Sequence, residues 1–122
     1  MKILIADDEP NIVLSLEFLM RSGGYVVQTA ADGDEALRQV SEFLPDFILL
    51  DIMLPRKNGF EVCQIIRDNP AWNRIKVVML TAKGRASEVA KGYALGADAY
   101  TTKPFATREL MADVRRLLGQ TT

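Results

Sequence analysis

Two kinds of hydrophobic pattern alternate along the chain. Short, nearly continuous apolar runs, typical of strands, are each followed by a longer segment in which apolar residues recur every three or four positions, typical of amphipathic helices. The five strand-like runs are Ile3–Ala6, Tyr25–Val27, Phe47–Leu50, Ile75–Leu80 and Asp98–Thr101. An unbroken run such as Phe47–Leu50 suits a strand that is buried on both faces of a parallel sheet. The pattern therefore predicts five consecutive strand–helix units.

Residues that start and stop helices mark the boundaries of these units. Pro10 is expected to open the first helix, where its missing N–H costs nothing, and Asp32 with Glu35 resembles a capping box for the second. Gly96 is expected to be the left-handed cap that ends the fourth helix. Thr107 is predicted as the N-cap of the fifth. The first three helices are expected to end at Gly23-Gly24, at Pro45 and before Pro70.

Helical crossovers imply parallel strands with helices on both faces of the sheet. For five strands, we predict an α/β fold of the flavodoxin-like (βα)5 type, a doubly wound parallel sheet with strand order 2-1-3-4-5. A chain of 122 residues is large enough for one domain with its own core. We assign residues 1–119 to that domain and residues 120–122 to a tail or the start of a linker.

Composition narrows the function classes. Hydrophobic residues make up 48% and charged residues 25% of the chain, and the net charge is −1, so there is no basic excess of the kind that nucleic-acid binders show. No apolar run is long enough to span a membrane, and no signal-peptide pattern follows Met1. The single cysteine, Cys63, cannot form an internal disulfide, which fits a reducing cytoplasm. We expect a cytoplasmic domain that contacts neither nucleic acid nor membrane directly.

The sequence contains no histidine. Catalysis by Ser-His-Asp or Cys-His arrangements and histidine metal sites are therefore excluded. Acid-base chemistry near neutral pH would fall to carboxylates or lysine, and a bound metal should be a hard cation with oxygen ligands.

Polar residues follow several of the predicted strands. Asp7 and Asp8 follow the first, Asp51 the third and Thr81 the fourth, while Lys103 lies in the turn after the fifth. Because parallel strands end at one edge, and the first and third are neighbours in the predicted order, the three aspartates should meet there. Singly, the aspartates could be helix caps, Thr81 an ordinary strand-end residue and Lys103 a solvated turn lysine. The joint pattern is far more specific.

A cluster of carboxylates needs neutralisation. Two like charges ~4 Å apart repel by roughly 4 kcal/mol at an effective dielectric of 20. Mg²⁺ is the usual cation where phosphate also binds, and Lys103 supplies further positive charge. Such a site is suited to receive a phosphoryl group, with a carboxylate as nucleophile.

With these residues in place, the chain resembles the receiver domain of two-component response regulators, from about Lys2 to Leu118. The resemblance rests on several motifs. These are Asp7-Asp8, Asp51, Met53-Leu54-Pro55, Asn58-Gly59, Thr81-Ala82, Gly96-Ala97-Asp98 and Lys103-Pro104-Phe105.

The resemblance implies that Asp51 is the phosphoacceptor and takes its phosphoryl group from a phosphohistidine on a sensor histidine kinase or phosphotransfer protein. It implies an Mg²⁺ site formed by Asp7, Asp8, Asp51 and the backbone carbonyl of Met53. Lys103 would hold a phosphoryl oxygen, aimed by a cis peptide to the next residue, which proline favours. The domain would be a switch rather than an enzyme, limited to self-phosphorylation from small donors and autodephosphorylation.

The resemblance also implies how the signal leaves the site. Thr81 would move toward the phosphoryl group and Tyr100 would turn inward behind it, biasing two packings of the fourth helix, fifth strand and fifth helix. Tyr100 could instead be an ordinary half-buried strand aromatic. The segment Glu88–Tyr100 is similar to the DNA-binding, winged-helix branch of the family, which usually pairs two receivers through charged residues of this surface, so the resemblance allows a homodimer here. Ala99 and Asp113 here replace an acidic and a basic residue that are frequent in that interface.

Two other functions stay open from the residues alone. One is a small Mg²⁺-dependent phosphohydrolase with an aspartyl-phosphate intermediate, although Met53 stands where such enzymes tend to carry a second acid-base aspartate. The other, weaker, is a flavin-binding module of the same topology. The resemblance implies either a stand-alone receiver that acts by protein contact or one part of a longer regulator.

Overall fold

The computed structural model describes residues 1–82, 86–103 and 105–119. Within them, strands and helices alternate from β1 to α5. The strands are β1 (Lys2–Ala6), β2 (Val26–Ala30), β3 (Phe47–Asp51), β4 (Lys76–Ala82) and β5 (Ala99–Lys103). The helices are α1 (Pro10–Ser22), α2 (Gly33–Phe43), α3 (Gly59–Asp68), α4 (Ala86–Ala94) and α5 (Thr107–Leu117).

The strands form one parallel sheet in the order β2-β1-β3-β4-β5. The predicted fold class and strand order are therefore confirmed. Strands β1 and β3 are neighbours, with Ala6 opposite Leu50. The next residue of each chain segment, Asp7 and Asp51, thus emerges at the same carboxyl edge of the sheet, at the point where the strand order reverses.

Central strand β3 is buried over its whole length and divides two hydrophobic cores. Ile48 and Leu50 face the layer that contains α2 and α3, while Phe47 and Leu49 face α1 and α5. Side chains alternate between the two faces because a strand has a period of two residues. Helix α4 contacts α3, β4 and β5. Among the described residues, no helix is long and apolar enough to cross a membrane.

Several predicted boundaries differ from the structure. Tyr25 lies outside β2, because its N–H donates to the carbonyl of Met20 and completes the turn after α1. Strand β5 continues to Lys103, so this lysine is the last strand residue and does not lie in a turn. Thr107 is the first residue of α5; the N-cap is Ala106, which makes no side-chain capping bond. Pro104 and the predicted tail 120–122 lie outside the described residues.

Candidate functional site

Three carboxylates meet at the carboxyl edge of the sheet. Asp7 and Asp51 are buried, with 1% and 4% of their surface exposed, and Asp8 is exposed at the mouth of the site. One oxygen of each lies within 4.8 Å of the others. The structure therefore brings together the three aspartates that the strand order predicted as neighbours.

Short-range backbone bonds fix the two buried carboxylates. The Oδ1 of Asp7 accepts the N–H of Glu9 at 2.9 Å, and the Oδ1 of Asp51 accepts the N–H of Met53 at 3.1 Å. The Asp7 N–H itself donates to Ala30 O on β2. Each carboxylate is therefore oriented by the turn that follows its own strand, a local geometry that aspartate favours.

Lys103 lies against both buried acids. Its Nζ is 2.7 Å from Asp7 Oδ2 and 3.3 Å from Asp51 Oδ2, and Glu9 lies farther away at 3.9 Å. Asp7 Oδ2 is fully buried, and no donor among the described residues is aligned with it as a hydrogen bond. Lys103 therefore neutralises Asp7 at this oxygen and bridges it to Asp51.

The pKa values of the pair reflect this setting. Burial raises the pKa of Asp51 and the charge of Asp7 adds to it, against the opposing effects of the Met53 N–H and Lys103. For Lys103, burial alone would lower the pKa, but the contact with Asp7 and the charge of Asp51 outweigh it, so the pKa is raised. Lys103 is therefore firmly cationic, while Asp51 holds its negative charge at a cost.

The loop from β3 to α3 is held close to the site at its two ends. Gly59 lies so near the strand that an added Cβ would sit 2.5 Å from Asp51 O. At Gly33 a Cβ would sit 2.0 Å from Lys57 O, and the Gly33 N–H donates to Pro55 O at 3.1 Å. These close approaches keep the peptide of Met53 beside Asp51, whereas its side chain is 70% exposed.

Sequence reasoning missed these close approaches. In each case a glycine directly follows an N-cap residue, Asp32 before Gly33 and Asn58 before Gly59. Asp32 accepts the Glu35 N–H as predicted, but the Glu35 carboxylate accepts from Ala31 N–H rather than from the N-cap itself. The sequence did contain a signal, because an N-cap residue followed by glycine occurs at the start of both helices. Glycine at such a position allows the backbone of another segment to come close.

The two predicted switch residues lie beyond the carboxylates. Thr81 is 2% exposed, pairs with Thr102 in the sheet, and donates its hydroxyl to Glu88 Oε1 of α4 at 3.2 Å. Tyr100 is 37% exposed, and its ring packs edge-on against Tyr93 with centroids 5.7 Å apart. The tyrosine is thus at the surface in this structure, and Glu88 is a site-adjacent residue that sequence reasoning did not single out.

The arrangement fits a small, hard cation. Three carboxylate oxygens converge, one buried oxygen of Asp7 has no aligned donor, and the donor set is all oxygen, which is the chemistry that Mg²⁺ and Ca²⁺ prefer. Lys103 contacts two of the same carboxylates, so the site places an ammonium beside a candidate metal position.

Comparison with known proteins identifies the family. Residues 3–115 match the family model described as the response regulator receiver domain. The chain belongs to this family. The Asp7-Asp8 pair, Asp51 and Lys103 all lie within the matched range.

Related proteins agree. The receiver domain is 43% identical over 117 residues to the phosphate regulon transcriptional regulatory protein PhoB of Rhizobium meliloti, covering 96% of this chain and 52% of that protein. It is 44% identical over 117 residues to the alkaline phosphatase synthesis transcriptional regulatory protein PhoP of Bacillus subtilis, covering 96% and 48%. The chain thus spans about half the length of these curated relatives.

A solved structure gives the same result. The chemotaxis response regulator CheY4 of Vibrio cholerae superposes with a TM-score of 0.89 at 31% identity, covering 95% of this receiver domain and 97% of that chain. Members of this family are signalling phosphoacceptors of two-component systems and receive phosphoryl groups from kinases.

Proposed function

We propose that this receiver domain accepts a phosphoryl group on Asp51 in an Mg²⁺-dependent reaction and switches the surface formed by α4, β5 and α5. The observation that carries the proposal is that the carboxylates of Asp7, Asp8 and Asp51 converge while Lys103 contacts both Asp7 and Asp51. A phosphoryl group on Asp51 would meet the ammonium of Lys103 and a cation held by the carboxylates, and such charge neutralisation is the main requirement of phosphoryl transfer.

Asp51 suits the acceptor role better than its neighbours. It ends the central strand, and the nearer contact of Lys103 is to Asp7, which leaves the longer, 3.3 Å contact for Asp51. Burial and the charge of Asp7 raise the pKa of Asp51, which makes its carboxylate more basic and therefore a better nucleophile toward phosphorus. Asp7 and Asp8 are then free to act as metal ligands.

In the reaction, an Asp51 oxygen forms a bond to phosphorus while the bond between phosphorus and the donor nitrogen breaks. The nitrogen keeps the electron pair, and the donor is a phosphohistidine on a sensor histidine kinase or phosphotransfer protein. Asp7, Asp8, Asp51 and the Met53 carbonyl would hold Mg²⁺, which neutralises the phosphoryl oxygens when bound. Lys103 would hold another phosphoryl oxygen as a point charge.

The output would follow from local charge. The new phosphoryl oxygens attract the hydroxyl of Thr81, and Tyr100, now at the surface, would turn inward behind it. We expect the α4-β5-α5 surface to pass the change to a partner, with a homodimer through that surface as one form of the output.

A small phosphodonor tests the proposal. With acetyl phosphate and Mg²⁺, intact-mass measurement should show one added phosphoryl group, stable in acid and labile in base, and chelation of the metal should prevent it. Asp51→Asn should abolish the label. Asp34→Asn, which removes a carboxylate that pairs with Lys57 away from the site, should leave it unchanged.

Persistent labelling of Asp51→Asn would refute the assignment of the acceptor. Multiple turnover of a generic phosphate ester by the unmodified chain would instead favour the phosphohydrolase alternative.

A further inference from the structure

A side-chain hydrogen bond joins the end of β4 to the first turn of α4. Thr81 Oγ1 donates to Glu88 Oε1 at 3.2 Å. Thr81 is buried, and Glu88 is half-buried and is the acidic residue of the first turn of α4. The contact therefore connects the residue beyond Asp51 in the sheet to the helix that covers it.

The surroundings favour this bond. Thr81 and Glu88 line a narrow, mostly apolar cleft between α4 and the sheet, together with Ile52, Met79 and Tyr100. Few water molecules can compete for the hydroxyl there, and hydrogen bonds to a charged acceptor are stronger than neutral ones.

A threonine hydroxyl carries one proton and can donate it to only one acceptor at a time. We propose that Glu88 is a positioning residue that holds the hydroxyl of Thr81 toward α4 in the resting state, and that a phosphoryl group on Asp51 takes this hydrogen bond from Glu88. This inference rests on the proposed function. Transfer of the hydroxyl removes this one restraint on the first turn of α4.

Contacts at the other end of α4 decide how the helix can respond. Arg67 Nε donates to Gly96 O at 2.8 Å, just after the helix, and Lys91 Nζ lies 4.6 Å from the centre of the Phe60 ring. These contacts do not involve the phosphorylation site. Loss of the Glu88 contact should therefore loosen the first turn of α4 while its C-terminal end stays in place.

The test compares two substitutions of Glu88. Glu88→Ala removes the acceptor, whereas Glu88→Gln removes the charge but keeps an oxygen that can accept from Thr81. The initial rate of phosphorylation by acetyl phosphate with Mg²⁺ should rise about fivefold in Glu88→Ala, the equilibrium effect of one ordinary hydrogen bond, and should rise less in Glu88→Gln, whose neutral oxygen still accepts the bond but more weakly. Ser87→Ala, an exposed change in the same turn, should have no effect.

Combining Glu88→Ala with Thr81→Ala distinguishes an effect of Glu88 on the Thr81 hydroxyl from a general effect on the structure. With Thr81→Ala already present, Glu88→Ala should no longer change the rate, because the hydroxyl that Glu88 holds is gone. Equal acceleration in both backgrounds, equal behaviour of the Gln and Ala variants, or no acceleration at all would each overturn the inference.

Deuterium exchange without any phosphodonor keeps the inference testable if the proposed function fails. Amides of α4 from Ala86 to Ala90 should exchange faster in Glu88→Ala than in Glu88→Gln, and Thr81→Ala should match Glu88→Ala. Unchanged exchange would refute the contact as a restraint, whereas failure of the proposed function would appear only as an unlabelled chain.

Discussion

Lys103 neutralises two buried carboxylates, and its replacement by methionine measures how much the fold depends on that charge. Lys103→Met keeps most of the side-chain volume and removes the ammonium that lies 2.7 Å from Asp7 Oδ2 and 3.3 Å from Asp51 Oδ2. In metal-free buffer, Asp7 and Asp51 are then left to repel each other in a site where both are almost fully buried.

The magnitude follows from the distances and the burial. At an effective dielectric of about 20, unit charges attract by roughly 6 kcal/mol at 2.7 Å and 5 kcal/mol at 3.3 Å. Desolvation of the ammonium offsets much of this, and removal of one partner from a buried pair costs about 3–5 kcal/mol in practice. Because Lys103 is 18% exposed and Asp51 can take up a proton, we expect a loss near the lower end, about 3 kcal/mol.

Trp72 provides the assay. It is the only tryptophan and lies before β4, at the edge of the sheet opposite the site, so its fluorescence during urea unfolding reports global stability rather than metal binding. Lys57→Met is a matched control, since its ion pair with Asp34 is equally short at 2.6 Å but the side chains are 40% and 49% exposed. That variant should unfold like the unmodified chain.

Mg²⁺ should stabilise Lys103→Met more than the unmodified protein, because a bound cation replaces the missing charge. The reasoning would be refuted if the two lysine variants lost the same stability. It would also fail if Mg²⁺ left the Lys103→Met deficit unchanged, since the acids would then not share one electrostatic site.

Further substitutions test the charge of Asp51, the close approach at Gly59 and the hydrogen bonds of Arg67. The pKa of Asp51 is raised in the fold, so the folded state loses stability as the pH rises from the ordinary aspartate pKa of about 4 through the raised pKa. Without metal at neutral pH, Asp51→Asn should therefore resist urea better than the unmodified chain. This advantage should vanish as the pH falls toward the ordinary aspartate pKa. Gly59→Ala should lower the free energy of unfolding by about 2 kcal/mol, because its Cβ would meet Asp51 O; Gly92→Ala, whose nearest neighbour would be at 3.5 Å, should raise it by up to ~1 kcal/mol. Arg67 donates to Asp98 Oδ2 and to three carbonyls, so Arg67→Met should cost about 3 kcal/mol in thermal or urea unfolding, and adding Asp98→Asn should cost less than the sum of the two.

The hydrophobic pattern by itself determined the order of the elements and the parallel direction of the strands, and the strand order was then taken from the flavodoxin-like arrangement that five such units favour. Burial of both faces of Phe47–Leu50, together with the amphipathic helices between strands, leaves few ways to form a compact parallel sheet. Once strand order is known, the aspartates after β1 and β3 must emerge side by side. Periodicity encodes which residues are buried, and burial is what this level of the fold depends on.

Local signals near the ends of elements were less informative. Thr107 has the chemistry of an N-cap, yet α5 already includes it and begins after Ala106 without a side-chain bond. Lys103 appeared to lie in a turn, but pairing of Ala82 with Lys103 extends β5 by tertiary hydrogen bonds. A neighbouring strand supplies backbone partners that no local propensity records.

Only the tertiary structure decided which donor meets which acceptor. Lys103 reaches Asp7 across almost the whole chain, Arg67 reaches Asp98, and Thr81 gives its hydroxyl to Glu88. Residue types and spacing cannot specify such pairs, because a hydrogen bond or ion pair is made or lost when the distance between two atoms changes by a few tenths of an ångström. Those distances are set by how the two cores pack around the sheet.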